Sequence, residues 1–256
     1  MKEGAKSVFL RMLWPRDRSP GAFLTGFGAT KEEKHMRANN STRKLVLAAM
    51  YAAIAYIAVA TVRIHLVAAA PFLTYDPKDV ILAVCGFTLG PIPALMTTAV
   101  VSLLEMLTVS TTGPIGFIMN TLSSASFMLP AAVLYARRRT LRAAAVGLAA
   151  GVAMAVIMML LWNYFITPLY MGTPREAVAA MLLPVFLPFN LIKAALNASI
   201  TMLVYKPISR VLRRTNLLEA RPDAAPSPKG HGLRASLIAA LVLVACVAAV
   251  LILSQG

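Results

Sequence analysis

A helix that crosses a bilayer needs roughly 20 predominantly apolar residues, and this chain meets that demand again and again. The runs fall at 44–62, 79–89, 91–109, 115–136, 141–166, 187–206 and 235–253. Between the second and third runs stands "GPIP" (90–93), and two prolines so close together fit a sharp turn better than one long helix. The second run is short, which implies either shielding by protein or an unusual tilt. Only 14% of residues are charged, against about 25% in soluble domains. The expected class is therefore an all-α membrane protein: a six-transmembrane-helix bundle with a seventh C-terminal transmembrane helix.

The net charge of +15 would suit nucleic acid, but the cations flank the apolar runs, in "PRDRSP" (15–20), "RRRTLR" (137–142) and "KPISRVLRR" (206–214). That pattern marks cytoplasmic loops and attraction to anionic lipid, so no nucleic-acid partner is expected. With the N-terminus inside, the outer connections are 63–78, 110–114 and 167–183, which carry only Arg63, Lys78 and Arg175 as cations. Residues 1–43 are polar and basic and lack the apolar core of a signal peptide; a short amphipathic turn is expected around "SVFLRMLW". The reading divides the chain into a cytoplasmic extension (1–43), a six-helix domain (44–210), a linker (211–234) and an added span (235–253). Cys85 and Cys246 read as small buried hydrophobes, and the scattered histidines outline no metal site.

The informative residues are the polar ones inside apolar runs. Asn120 lies early in the fourth run, Asn163 at the end of the fifth, and Asn190 and Lys193 early in the sixth. If the sixth helix starts near Pro188, Asn190 and Lys193 share a face, with Lys193 roughly 8 Å below the start. All four then meet in the outer third of the bundle, as a substrate cavity requires. Snorkelling of Lys193 and helix-to-helix hydrogen bonding by the asparagines are the alternatives, and Asn197, one turn deeper, suits the second. Asp79, at the start of the second helix, reads as its N-cap. Glu105 reads as an interfacial carboxylate or a partner of Lys193. In the first run Ala48, Ala49, Ala52 and Ala53 recur at three- and four-residue spacing, a smooth strip for close helix approach within the chain or with another subunit. No P-loop, Ser/His/Asp set or metal motif suggests an enzyme.

In order along the chain, "AAMYAAIAY", "APFLTYDPKDV", "GFTLGPIPAL", "TGPIGFIMN", "NYFITPLY" and "PFNLIK" resemble the riboflavin-specific substrate-binding subunits (S components) of energy-coupling factor vitamin transporters. The resemblance covers residues 44–210. It implies a flavin pocket near the outer surface, closed by the first outer loop with Leu73, Thr74 and Tyr75. It implies that Asn120, Asn190 and Lys193 contact the isoalloxazine ring. Asn amides and an ammonium match the alternating carbonyl and N–H groups of a flavin's pyrimidine edge, and Leu73, Tyr75, Phe117 and Phe189 would cover its faces.

The implied partners are riboflavin as transported ligand, with no cofactor, together with a coupling subunit docked on the Ala strip and separate ATPase subunits, in the cytoplasmic membrane. Glu105 departs from the pattern, where a basic residue late in the third helix is expected. The rival readings are an S component for another heterocyclic vitamin, or a non-transport membrane scaffold.

Overall fold

The structure, a computed structural model, describes residues 31–65, 73–110, 112–214 and 237–248. The expected turn at "SVFLRMLW", most of the 211–234 linker and the ends of the 235–253 span lie outside the described residues. Helix α1 (Lys31–Thr61) already begins ahead of the apolar run, because "KEEKHMRA" is built of good helix formers that extend the helix beyond the hydrocarbon. A two-residue antiparallel pair follows, β1 (Ile64–His65) with β2 (Thr74–Tyr75), in the register Ile64 to Tyr75 and His65 to Thr74. This hairpin leads into α2 (Lys78–Leu89), and Gly90, with a φ of 98°, turns the chain into α3 (Pro91–Thr108). Pro91 opens α3, where its missing N–H costs nothing.

Helix α4 (Gly113–Arg138) and α5 (Leu141–Phe165) form a long hairpin. Thr140 caps α5, its hydroxyl accepting from the Ala143 N–H at 3.1 Å. Along their seam the two backbones come very close. A Cβ on Gly151 would collide with the Phe127 carbonyl, and one on Gly147 would lie 2.8 Å from Ala131 Cα. Gly151→Val is expected to cost about 1–3 kcal/mol by overpacking, read as a clear fall in melting temperature in detergent; an unchanged melting temperature would show that the seam has slack.

A short turn, α6 (Thr167–Met171), precedes α7 (Arg175–Met181), a π-helical turn (Leu182–Phe186) and α8 (Leu187–Arg214). The sixth crossing therefore starts at Arg175 and not near Pro188, as the sequence suggests. The reason is the π turn, whose wider ring absorbs Pro184 and Pro188 without ending the helix. The last helix, α9, covers Leu237–Ala248.

Among the described residues, five helices are long and apolar enough to cross a membrane: Ser41–Thr61, α3, α4, α5 and Arg175–Tyr205. Helix α2, with 12 residues, is too short to do so. It packs against α1, α3, α4 and α8, and Leu82, Ala83, Val84 and Cys85 are essentially inaccessible. Protein shields it, the first of the two readings its length allowed. Phe87, Tyr135 and Tyr205 cluster edge to face at the end of the bundle away from the hairpin.

Candidate functional site

The hairpin end of the bundle holds a polar cluster built from five segments. Lys193 on α8 donates to Asp76 Oδ2 at 2.9 Å and to the Thr74 carbonyl at 3.4 Å. One turn deeper, the Tyr75 hydroxyl donates to Asn197 Oδ1 at 3.0 Å, and Asn197 Nδ2 donates to Asp79 Oδ2 at 3.3 Å. The other Asp79 oxygen accepts from Ser124 on α4 at 2.5 Å. A second group stands beside it: Lys78 pairs with Glu105, which also meets Arg63 at 3.4 Å.

These partners revise three expectations. Asp79 does not cap α2; Pro77 holds that position without a side-chain cap, and Asp79 sits in the first turn, joining α4 and α8 to α2. Glu105 is 4% exposed, no interfacial carboxylate, and its partners are Lys78 and Arg63 rather than Lys193. Asn197 does act as glue, but it ties the loop and α2 to α8. Lys193 does not snorkel outward, because Asp76 holds it.

The electrostatics of the loop follow from these contacts. Burial pushes the Asp76 carboxyl up, but the Lys193 and Lys78 ammonium groups prevail and hold it down at about 2. A depressed carboxyl pKa contributes stability that is complete above its ordinary value and is lost as pH falls through about 2. The Lys193–Asp76 tie therefore persists throughout the physiological range. Burial, reinforced by the Asp76 and Asp79 carboxylates, raises the Tyr75 hydroxyl, so Tyr75 remains a hydrogen-bond donor.

Beside the cluster lies a small recess, lined by Asp79, Ser123, Phe127, Met159, Asn190 and Lys193, with Ala155 and Ala194. Asn190 donates through Nδ2 to the Phe186 carbonyl at 2.7 Å, a bond to its own preceding turn that fixes the amide. Sequence reasoning thus brings Asn190 and Lys193 to one cavity. Leu73, Tyr75 and Phe189 pack together at its side with Leu196. Asn120 and Phe117 on α4, and Asn163 on α5, are not among the residues lining this recess; they lie farther along their helices toward the hairpin end. Asn163 is 4% exposed, its Oδ1 accepts from Thr167 at 3.0 Å, and its buried Nδ2 has no hydrogen-bond partner among the described residues.

The sequence reading missed Ser123, Phe127 and Met159. Their signal was helical spacing, since Ser123 and Phe127 follow Asn120 at three and seven residues and Met159 precedes Asn163 by four.

The Ala strip of α1 divides. Ala52 is buried in a cluster with Ala55, Leu82 and Val101, so it packs within the chain, and Ala48 is half-buried. Ala49 and Ala53 are exposed, flanked by Leu45, Val46, Met50, Ile54 and Ile57, each at least half exposed. Helical spacing explains the split: residues 48, 52, 55 and 59 follow the face turned to α2 and α3, and 49 and 53 its neighbour.

Comparison with known proteins bears on this architecture. The family "ECF transporter, substrate-specific component" matches residues 43–205. The chain belongs to that family. A riboflavin transporter, RibU, of Staphylococcus aureus (strain TCH60) is 28% identical over 178 residues, 67% of this chain and 93% of that protein. A riboflavin transporter, FmnP, of Bacillus subtilis (strain 168) is 26% identical over 172 residues, 64% of this chain and 90% of the relative. A solved S component of a bacterial ECF transporter superposes with a TM-score of 0.58 at 28% identity, covering 68% of this chain and 99% of its own. This S component is thus an all-helical, multi-pass membrane protein. Helix α9 lies beyond the family match.

Proposed function

We propose that this S component binds riboflavin at the hairpin end and delivers it for uptake by an ATP-driven ECF transporter. The observation that carries the proposal is the recess shared by Asn190 and Lys193, in a chain aligned with nearly the full length of two riboflavin transporters. An ammonium suits a flavin carbonyl, the Asn190 amide can complement the adjoining pyrimidine edge, and Asn163, outside the recess toward the hairpin end with no partner for Nδ2 among the described residues, suits a further acceptor on a ligand that extends there. Phe127, Met159 and Phe189 supply apolar and polarizable surface for the ring faces. The recess has room for about one water molecule only, far below the usual ~300–1,000 Å³ of small-molecule sites, so a tricyclic ring requires the lining side chains, Lys193 and Met159 among them, to move apart.

The N-terminus faces the cytoplasm in this reading and the hairpin faces outward. The exposed α1 face around Ala49 and Ala53 docks on a coupling subunit, with energy from separate ATPase subunits and no chemistry by this chain. Equilibrium dialysis of the detergent-solubilised protein against riboflavin is expected to give saturable binding in the nanomolar range. Binding of another heterocyclic vitamin with none of riboflavin would overturn the ligand assignment, and binding of no small molecule would favour a scaffold.

A further inference from the structure

We infer that α9, which lies beyond the family match, is the fixed wall against which the hairpin closes, and that it sets how long the ligand stays bound. The inference rests on the riboflavin reading above. The solved S component is covered over 99% of its length by 68% of this chain, and the family match ends at residue 205.

Helix α9 meets the rest of the chain along one stripe, Ala239, Leu243 and Cys246. Ala239 and Cys246 are buried and Leu243 is half-buried, whereas Leu237, Ile238, Leu241 and Val244 are more than half exposed. The spacing of four and three keeps the stripe on one face. Its far end enters a cluster with two other segments: Leu73 and Tyr75 of the hairpin arm, and Phe189, Ile192, Ala195 and Leu196 of α8. The same arm reaches the site on its polar side, through the Thr74 carbonyl on Lys193 and the Tyr75 hydroxyl on Asn197. The arm is thus held by polar bonds from the pocket face of α8 and shares one apolar cluster with α8 and α9.

Without α9, the contacts of Leu243 and Cys246 would pass to mobile lipid, which is equally apolar but forms no fixed partner. A fixed partner lowers the ordering cost of closing the arm, and the gain falls mainly on the dissociation rate. Because α9 packs beside α8, it leaves the exposed α1 face uncovered.

The test uses the full chain loaded with riboflavin and chased with excess unlabelled ligand. Leu243→Ala is expected to speed dissociation about fivefold or more, by loss of packing at a half-buried leucine, with association unchanged. Leu241→Ala, on the exposed side of α9, is expected to leave both rates unchanged. Equal dissociation rates for the two variants would overturn the inference.

Should Leu243→Ala fail to fold, the unaltered chain decides through alkylation of Cys246, followed by peptide mapping. Riboflavin is expected to slow that alkylation by holding the cluster closed, and an equal rate with and without ligand would overturn the inference. A chain that takes up no riboflavin refutes both readings; one that binds it with indifferent rates refutes only the role of α9.

Discussion

Lys193→Ala is expected to weaken riboflavin binding by about a hundredfold, read by titration of the purified variant. Truncating one member of a buried charge pair costs about 2–5 kcal/mol at an interface, and each 1.4 kcal/mol is about tenfold in affinity. Here two losses coincide. The ligand loses its cationic donor, and Asp76, 4% exposed and with no partner for Oδ1 among the described residues, loses the ammonium on Oδ2. Asp76→Asn in the Lys193→Met background separates them. It removes the stranded charge and is expected to restore thermal stability without restoring affinity. Recovery of affinity in the double variant would reduce Lys193 to a latch for the loop. Lys193→Arg is not expected to rescue, because a planar fork replaces a compact point charge in a narrow recess.

Glu105→Ala is expected to be the most destabilising single change, by about 3–5 kcal/mol, the usual cost of stranding one partner of a buried ion pair. Lys78 is 2% exposed and pairs with Glu105, so its ammonium would lose the carboxylate it contacts and keep only the more distant Asp76 and Asp79, and Arg63 would lose the same partner. Thermal melting in detergent should show the loss. The double change Lys78→Met with Glu105→Leu is expected to recover most of it, since an apolar pair of similar volume removes both desolvation terms. An unchanged melting temperature for Glu105→Ala would mean that solvent reaches Lys78 readily.

The helices were largely legible because a bilayer filters sequence harshly. Apolar runs, the "GPIP" turn and the short α2 follow from hydropathy and proline alone, and Asn190 and Lys193 stood out because polar groups in such runs are costly. What resisted reading depends on register between distant segments. Lys78 and Glu105 are 27 residues apart, and Asp79 and Asn197 are 118 apart; no local pattern links them. Each has a plausible local role, as a loop cation, an interfacial acid or a cap, until the packing assigns another. Pro188 misled for a related reason: a proline that ordinarily opens a helix is here carried through by the π turn at Leu182–Phe186. Ala52 and Ala49 share a motif, and only the position of α2 decides which one is covered.

The brevity of α2 bears on how the chain is made. At about 1.5 Å per residue its 12 residues span about 18 Å, against a hydrocarbon core of about 30 Å, and it begins with Lys78 and Asp79. Such a segment cannot leave the translocon as an independent span, so it must enter the bilayer as a hairpin with α3, which brings Glu105 to Lys78. Asp76 and Asp79 wait longer, because Lys193 and Asn197 lie on α8. Synthesis order thus becomes assembly order: the scaffold around α2 sets first, and the proposed ligand site is completed only when residues 175–205 have been inserted.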